Sequence, residues 1–478
     1  MSAFVDKNNL NSYSSLPRVV AENHGRWPEP KYRFSLAACA RWEARYISEW
    51  LSYHRSIGIE HVYLYCNDDD PAELYQAVLP FLTGNEPFVT FVHYPFQGLQ
   101  FQMYFHFARN YIHETEWMMF LDIDEFFFIR SGELLGEFIE SFPSNMDALY
   151  INWCSFGSNG HKTRPVGSVL LNYTKREKTV TPFTKVLIKS KTFPYKEFFE
   201  NNNHPIQHDY TGLNKNLICR NTLGEDMAGY YDNFPWSAWG MLNDGDRKFR
   251  ILDVAFIAHF NIKSDEDFDL RVKRGLHGDY AAEKMWGDKS EEERSDFHLL
   301  TNAVEDYGLH DYWHKYLSDK AWKTSPFPAS QWPLISTNCK TLQSSSAHPW
   351  GAEADSQNLI NRRPNGRSQA HTEKEEQPWW QIDLGSVNCI QEIRIFNRLD
   401  VALERMCHFS LFSSLDGENW NEFYHHNSPE IFGGIDGTPF IWLSDAGVKA
   451  RFMRVVVNGE PDYLNLDQVE VYGFPDFS

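Results

Sequence analysis

WMMFLDIDEFFF, residues 117–128, carries an unbroken apolar run straight into three carboxylates, Asp122, Asp124 and Glu125. A short apolar run closed by a polar break predicts a buried strand over Trp117–Leu121. Alternate residues leaving a strand share a side. Asp122 and Asp124 are therefore expected to face one cleft, while Ile123 turns toward the core. Two carboxylates there can hold a hard divalent cation. The same residues also suit a turn that merely ends a strand, so context must decide.

The context upstream is βαβα. A strand is expected at Phe34–Cys39. Ile47, Trp50, Leu51 and His54 then recur at helical spacing, with Gly58 as the stop. Val62–Tyr65 reads as the next strand, closed by Asn67-Asp68-Asp69-Asp70-Pro71. A helix over 72–82, a strand over Phe88–Tyr94 and a helical segment over 99–115 follow. This order predicts an α/β domain with a mostly parallel sheet covered by helices. Ligands of such sheets sit beyond the C-terminal strand ends, where both acidic clusters fall.

Farther out, residues 1–30 read as a polar lead-in and 31–320 as the α/β domain. Residues 321–335 form a linker mixing Pro, Ser and Trp. From 336 to 478 the chain reads as short strands with turns at Asp416-Gly417 and Gly433-Gly434. Ile393 and Ile395 alternate as in half-buried strands, so an all-β jelly roll of eight strands is expected.

The 45 Lys and Arg against 65 Asp and Glu leave a net charge of −20. That balance argues against nucleic acid or an anionic membrane as the main partner. The first residues lack an apolar signal core, and no run is long enough to span a bilayer. The seven cysteines include no CxxC pair. Reduced thiols are expected, although Cys389 and Cys407 could pair in an oxidising compartment. The protein is expected to be cytoplasmic, or peripheral at the inner membrane face.

Four segments occur in order: EARYISEWLSYHRSIG (43–58), HVYLYCNDDDP (61–71), WMMFLDIDEFFF (117–128) and AHFNIKSDEDFDLRVKRG (258–275). Together they resemble the family-92 glycosyltransferases and their bacterial family-2-like relatives. The resemblance implies a GT-A fold and transfer from a UDP- or GDP-sugar to a glycan acceptor. It implies a Mn²⁺ or Mg²⁺ ion held by Asp122, Asp124 and His259. Glu43, Asn67, Asp122, Lys263 and Arg274 would bind the nucleotide sugar, with Arg271 offsetting its charge. Phe260 stands where the family often has Tyr, so a hydroxyl contact is lost there. A hexosyl transfer with inversion is expected, which needs a carboxylate base. Glu225 and Asp226 are the candidates, with Asp209 and Asp232 also on the acceptor side in chain order. Tyr230, Tyr231, Phe234, Trp236 and Trp239 form either an acceptor platform or core.

PWWQIDLG (378–385), IQEIRIFNRLD (390–400), SLFSSLDGENW (410–420), RFMRVVVNG (451–459) and LNLDQVEVYG (464–473) resemble the discoidin, or coagulation factor 5/8 C-type, domain. His371, Arg398 and Arg405 resemble the fucose-binding signature of F-type lectins, with the histidine two residues farther away than usual. The planar guanidinium suits bidentate recognition of sugar hydroxyls. Alternatively, both arginines pair with Asp400 and Glu404 to brace the barrel. A structural Ca²⁺ at Asn361, Asn365 and Ser368 is a further expectation of this resemblance. The competing reading of the whole chain is a non-catalytic, lectin-like adhesion protein with a degenerate transferase domain. A glycosidase has no fold signature here.

Overall fold

A computed structural model describes residues 16–83, 87–165, 167–200, 205–274, 291–323, 330, 332–361, 364–428, 431–433 and 439–476. Residues 1–15 of the lead-in fall outside them, as do part of the linker and Gly434, whereas Leu16–Glu22 of the lead-in forms a short helix. The chain divides into two compact units: Met1–Pro165 with Tyr173–Leu309, and Val166–Asn172 with His310–Ser478. Among the described residues no helix is long and apolar enough to cross a membrane.

The first unit opens as expected. β1 (Tyr32–Ala40), α1 (Ala44–Ser56), β2 (His61–Cys66), α2 (Ala72–Leu82), β3 (Val89–His93), α3 (Gln100–Asn110) and β4 (Thr115–Phe120) follow one another. The helical crossovers let β3, β2, β1 and β4 lie side by side in parallel. Most of the pairings in this sheet are parallel, as expected, but beyond β4 the sheet becomes mixed. β5 (Glu125–Ile129) follows β4 after a tight turn, with no helix between them. A parallel partner cannot be reached by so short a link. β5 instead runs antiparallel to β9 (Ala255–His259) at the far edge. β6 (Ala148–Ser155), β7 (Thr184–Lys189) and β8 (Cys219–Asn221) complete a mixed nine-stranded sheet of order β3-β2-β1-β4-β7-β6-β9-β5, with β8 on β6.

The edge position of β5 leaves backbone groups without a strand partner, and α1 supplies substitutes. Trp50 Nε1 donates to the Glu125 carbonyl at 2.8 Å, and the Tyr53 hydroxyl to the Phe127 carbonyl at 2.9 Å. These residues sit three apart and so share one helix face. His54 lies on the same buried stripe, its Nδ1 bound to the Trp50 carbonyl at 2.9 Å. Burial lowers its ring to about 3, so it is neutral.

A second lock closes the end of β5. Arg130 grips Asp306 through two bonds of 2.8 Å, and Arg176 adds a third at 2.7 Å. The Gly308 N–H donates a fourth, at 3.0 Å.

The second unit is an antiparallel sheet. Its strands are β10 (Lys340–Gln343), β11 (Ala370–His371), β12 (Trp379–Asn397), β13 (His408–Ser414), β14 (Asn421–Asn427), β15 (Phe440–Val457) and β16 (Asn465–Pro475). Their order is β11-β16-β12-β15-β13-β14, with β10 on β12. The eight strands expected are seven among the described residues. β12 and β15 each run on through register shifts, at Asp383/Asn388 and Ile390/Glu392 of β12, and serve as two shorter strands would. Trp380, Ile382, Ile393, Ile395, Leu411, Met453 and Val469 pack one core. All seven cysteines are free thiols, Cys389 and Cys407 included.

Removing the Asp306 carboxylate should leave Arg130 and Arg176 facing each other. Asp306→Ala is expected to cost about 3 kcal/mol in chemical denaturation. Burial alone would raise this carboxyl, but the two arginines hold it below the ordinary carboxylate range. Its folded pKa is thus depressed, and its stabilisation is present above the unfolded value. That part is lost as pH falls through the carboxylate range toward the folded pKa. The variant should therefore show a flatter acid limb than wild type.

Candidate active site and glycan-contact cluster

The turn after β4 shapes the site. The Glu125 N–H donates to the Asp122 carbonyl at 3.1 Å and closes residues 122–125. Ile123 is buried as expected, at 3% exposure. Asp122, Asp124 and His259 line a single cleft of 260 Å³ together with Glu43 and Asn67. Glu43 starts α1, its carbonyl accepting the Tyr46 and Ile47 N–H groups. The Asn67 amide donates to the carbonyls of Tyr94 at 2.6 Å and Phe96 at 3.1 Å. It thereby fixes the loop that follows β3. Five of the expected nucleotide and metal residues thus converge from β1, β2, β4 and β9.

The cleft floor holds charges that compensate one another. Lys185, fully buried on β7, reaches Asp122 Oδ2 at 2.8 Å and Glu125 Oε2 at 3.0 Å. Arg271, on α4 (Asp265–Arg274), pairs with Asp124. His259 Nε2 stands 3.6 Å from Asp124 Oδ1 and 4.0 Å from Glu125 Oε1. Burial, reinforced by Asp122 and Asp124 and opposed by Lys185, pushes Glu125 up to about 8. Burial works the same way on Asp122 and Asp124, but Lys185 and Arg271 override it and both are lowered. Two carboxylates and two cations then balance around a neutral glutamic acid. Burial lowers His259, so its ring is neutral.

Among the described residues no three His, Cys, Asp or Glu side chains form a ready-made metal cage. The donor chemistry nevertheless fits a hard cation that takes its remaining ligands from phosphate and water. Asp124 offers a carboxylate beside the His259 imidazole. Glu125 Oε1 is buried there with no hydrogen-bond partner among the described residues.

Other expected residues lie elsewhere. Lys263 packs over the Tyr46 ring at 4.6 Å, in a small recess that shares Glu43 and Arg271 with the main cleft. The side chain of Arg274 lies outside the described residues. Glu225 and Asp226 are not among the cleft-lining residues. Glu225 is held by Arg247, Arg250 and Asn221, and Asp226 by Arg220 at 3.3 Å. The hairpin carrying them at β8 turns their charges toward local arginines. Asp209 closes its own turn through Thr211 and Gly212, and Asp232 faces Lys215 at 3.8 Å. Of the aromatic run, Tyr230 is core, bonded to Asn152 and the Pro182 carbonyl, whereas Trp236 is 72% exposed.

Sequence reasoning missed Lys185, Trp153 and His208. Each lies far from the motifs in sequence and reaches the cleft through β6, β7 or the loop before β8. The only sequence signal for Lys185 is a charge placed directly before the apolar run Val186–Ile188 in TKVLIK.

In the second unit His371, Arg398 and Arg405 come together. Asn465 is buried, and with its amide oxygen turned toward the guanidinium groups it accepts Arg398 Nη1 at 3.0 Å and Arg405 Nη1 at 2.7 Å. Arg398 also grips Asp400 through bonds of 2.6 and 3.0 Å. Arg405 faces Asp462 at 3.4 Å, rather than the Glu404 expected, and covers the Tyr463 ring at 4.5 Å. His371 packs on that same ring, 5.2 Å between centroids. Its Nδ1 is bound to the Thr372 carbonyl at 2.7 Å, which leaves Nε2 as the outer nitrogen. Of the expected calcium residues, Asn365 accepts the Arg367 N–H and Ser368 donates to the Ala370 carbonyl. The Asn361 side chain lies outside the described residues.

Residues 36–219 match the family model described as glycosyltransferase family 92, and residues 341–466 match the F5/8 type C domain. Among curated proteins, the chain is similar to glycosyltransferase family 92 protein Os08g0121900 of Oryza sativa subsp. japonica. The two are 25% identical over 162 residues, 34% of this chain and 27% of that protein. It is also similar to glycosyltransferase family 92 protein RCOM_0530710 of Ricinus communis, 27% identical over 31% of this chain and 27% of that protein. The chain thus spans 27% of the length of these relatives. Among solved structures, an F-lectin (fucolectin) from Morone saxatilis serum is 22% identical with a TM-score of 0.27, over 30% of this chain and 50% of that one. The lectin domain of lectinolysin complexed with Lewis B antigen is 22% identical with a TM-score of 0.25, over 30% of this chain and 96% of that one.

Lys185 is the test of the charge balance. Lys185→Met should cost about 1–3 kcal/mol, because it removes the hydrogen-bond partner of buried Glu125 and the counter-charge of half-exposed Asp122. Adding Glu125→Gln should recover part of that loss. Urea denaturation of the two variants checks this. Melting of Lys185→Met at the wild-type midpoint would remove the proposed balance.

Proposed function

We propose that this chain, with its glycosyltransferase family 92 region and its F5/8 type C region, transfers a hexose from a UDP- or GDP-sugar to a glycan. Its second unit holds glycan at the Arg398–Arg405 cluster. The observation that carries the reading is the convergence of Asp122, Asp124, His259, Glu43 and Asn67 on one cleft beyond the ends of β1, β2 and β4.

Asp124 and His259 would hold a Mn²⁺ or Mg²⁺ ion, with Asp122 alongside and partly neutralised by Lys185. When bound, such an ion stabilises negative charge on the leaving diphosphate. Arg271, the cation now paired with Asp124, would move to phosphate as the donor enters. The donor's base and ribose fit between Glu43 and the Asn67 loop. Lys263 stands close enough through the adjoining recess to steer an anion. An inverting course needs a proton acceptor beside the incoming hydroxyl. Glu225 and Asp226 are poorly placed for that, being ion-paired away from the cleft lining.

In the second unit the two guanidinium groups, braced by Asn465 and Asp400, present donors in a fixed plane. Such donors suit adjacent sugar hydroxyls. His371 Nε2 would accept from a third hydroxyl. Binding there raises the local concentration of acceptor without taking part in bond making.

Asp124→Asn should lower donor turnover by about a hundredfold or more. Its circular dichroism spectrum should stay that of wild type. Unimpaired turnover of a panel of UDP- and GDP-hexoses with Mn²⁺ would remove the metal role. Arg398→Ala should lose about 1.5–3 kcal/mol of binding per hydrogen bond removed, measured by calorimetry with fucose and galactose. Equal binding by variant and wild type would place the glycan site elsewhere.

A further inference from the structure

One wall of the cleft is aromatic. Trp153 lines it and lies against His259, their ring centroids 4.5 Å apart. Phe183 stands directly across the strand pair. Its carbonyl accepts the Trp153 N–H at 2.9 Å, and the rings stack at 5.3 Å with 28° between planes. Phe234 closes on Phe183 edge-on at 5.2 Å. Phe183 nevertheless remains 42% exposed. The aromatic surface therefore runs from the metal-side histidine out to solvent. Trp153 inside the cleft and Phe183 stacked on it outside together offer a continuous aromatic face that a ligand lying in the cleft could cover.

His208 lines the same cleft, edge-on to Trp153 at 5.1 Å. It is tied twice to Thr184. Its Nδ1 donates to the Thr184 carbonyl at 2.7 Å, and the Thr184 hydroxyl donates to the His208 carbonyl at 2.7 Å. The first bond fixes the tautomer, so Nε2 carries the lone pair. Nε2 makes no hydrogen bond among the described residues. A rigid acceptor thus faces the cleft beside a stacked aromatic pair.

We propose that Trp153 and Phe183 form the platform for the acceptor pyranose, and that His208 Nε2 accepts the hydrogen bond of the hydroxyl to be glycosylated. This rests on the transferase reading above. A pyranose has one face of C–H groups, which an aromatic face attracts and desolvates. Its hydroxyls project from the ring edge, where a fixed acceptor can select one. The pairing orients the hydroxyl before reaction, so the cost of ordering it is met on binding. The substrate class is a pyranoside with an apolar face free to stack, such as a β-linked glucoside or galactoside. His208 acts here as a positioning residue that touches substrate.

Kinetics on the full chain test this, with UDP-glucose, UDP-galactose and GDP-mannose as donors in Mn²⁺. Methyl β-glucoside, methyl β-galactoside and their β-linked oligosaccharides serve as acceptors. Phe183→Ala should raise the acceptor KM about tenfold while the donor KM moves less than about twofold, and Phe183→Trp should restore it. His208→Asn keeps a donor for the Thr184 carbonyl but lacks Nε2. It should lower kcat for transfer about tenfold. A wild-type acceptor KM in Phe183→Ala, or a wild-type kcat in His208→Asn, would overturn the proposal. No turnover of any donor by wild type would instead remove the transferase reading, and the platform with it.

Discussion

A buried ammonium holds the first unit's cleft together. Lys185 has no exposed side-chain surface and touches both Asp122 and Glu125. An unpaired ion in such a place is expensive to desolvate. The lysine is tolerable only because two carboxylates meet it, and they are tolerable only because it is there. Glu125, the more buried of the two, yields by taking up a proton near neutral pH. The arrangement keeps the acidic turn after β4 rigid and nearly neutral. Such a floor presents little net negative potential to an anion entering the cleft.

Much of this was legible from sequence because it is local. The apolar run before Asp122, the helical period of α1 and the turn at 67–71 each declare themselves within a dozen residues. The parallel half of the sheet follows from them. The mixed half does not, because it depends on where β5 goes after a turn too short for a crossover. Lys185, His208 and Trp153 were illegible for the same reason. They lie 30–90 residues beyond Asp122 in sequence, and only strand pairing brings them to it. Glu225 and Asp226 failed as cleft residues because chain order says nothing about which neighbours a carboxylate finds. The arginine cluster of the second unit shows both sides. His371, Arg398 and Arg405 stood out as residue types, whereas Asn465, which holds the two arginines in register, carries no sequence signal.

Motif residues also acquire structural duties. Trp50, Tyr53 and His54 belong to the EWLSYH stretch that points to function by resemblance. In the fold, Trp50 and Tyr53 cap the backbone of an edge strand that begins in the acidic turn. Chemistry and architecture are carried by the same helix face. A substitution there would damage the cleft through strand β5 without any contact to substrate, so loss of activity alone would not identify a binding residue.

The turn at 122–125 has a geometric consequence. β4 and β5 are four strand positions apart in the sheet order, a span of about 19 Å if the sheet were flat. The chain between them has only two extended steps from Phe120 to Asp122, roughly 7 Å. The closed turn then adds less than about 7 Å. The short tether therefore forces the sheet to curl, drawing its middle and its far edge toward each other at this end. The hollow at this end of the sheet is thus a product of chain length. One more residue between Leu121 and Glu125 would relax the curl and flatten the hollow, with every side chain lining it unchanged.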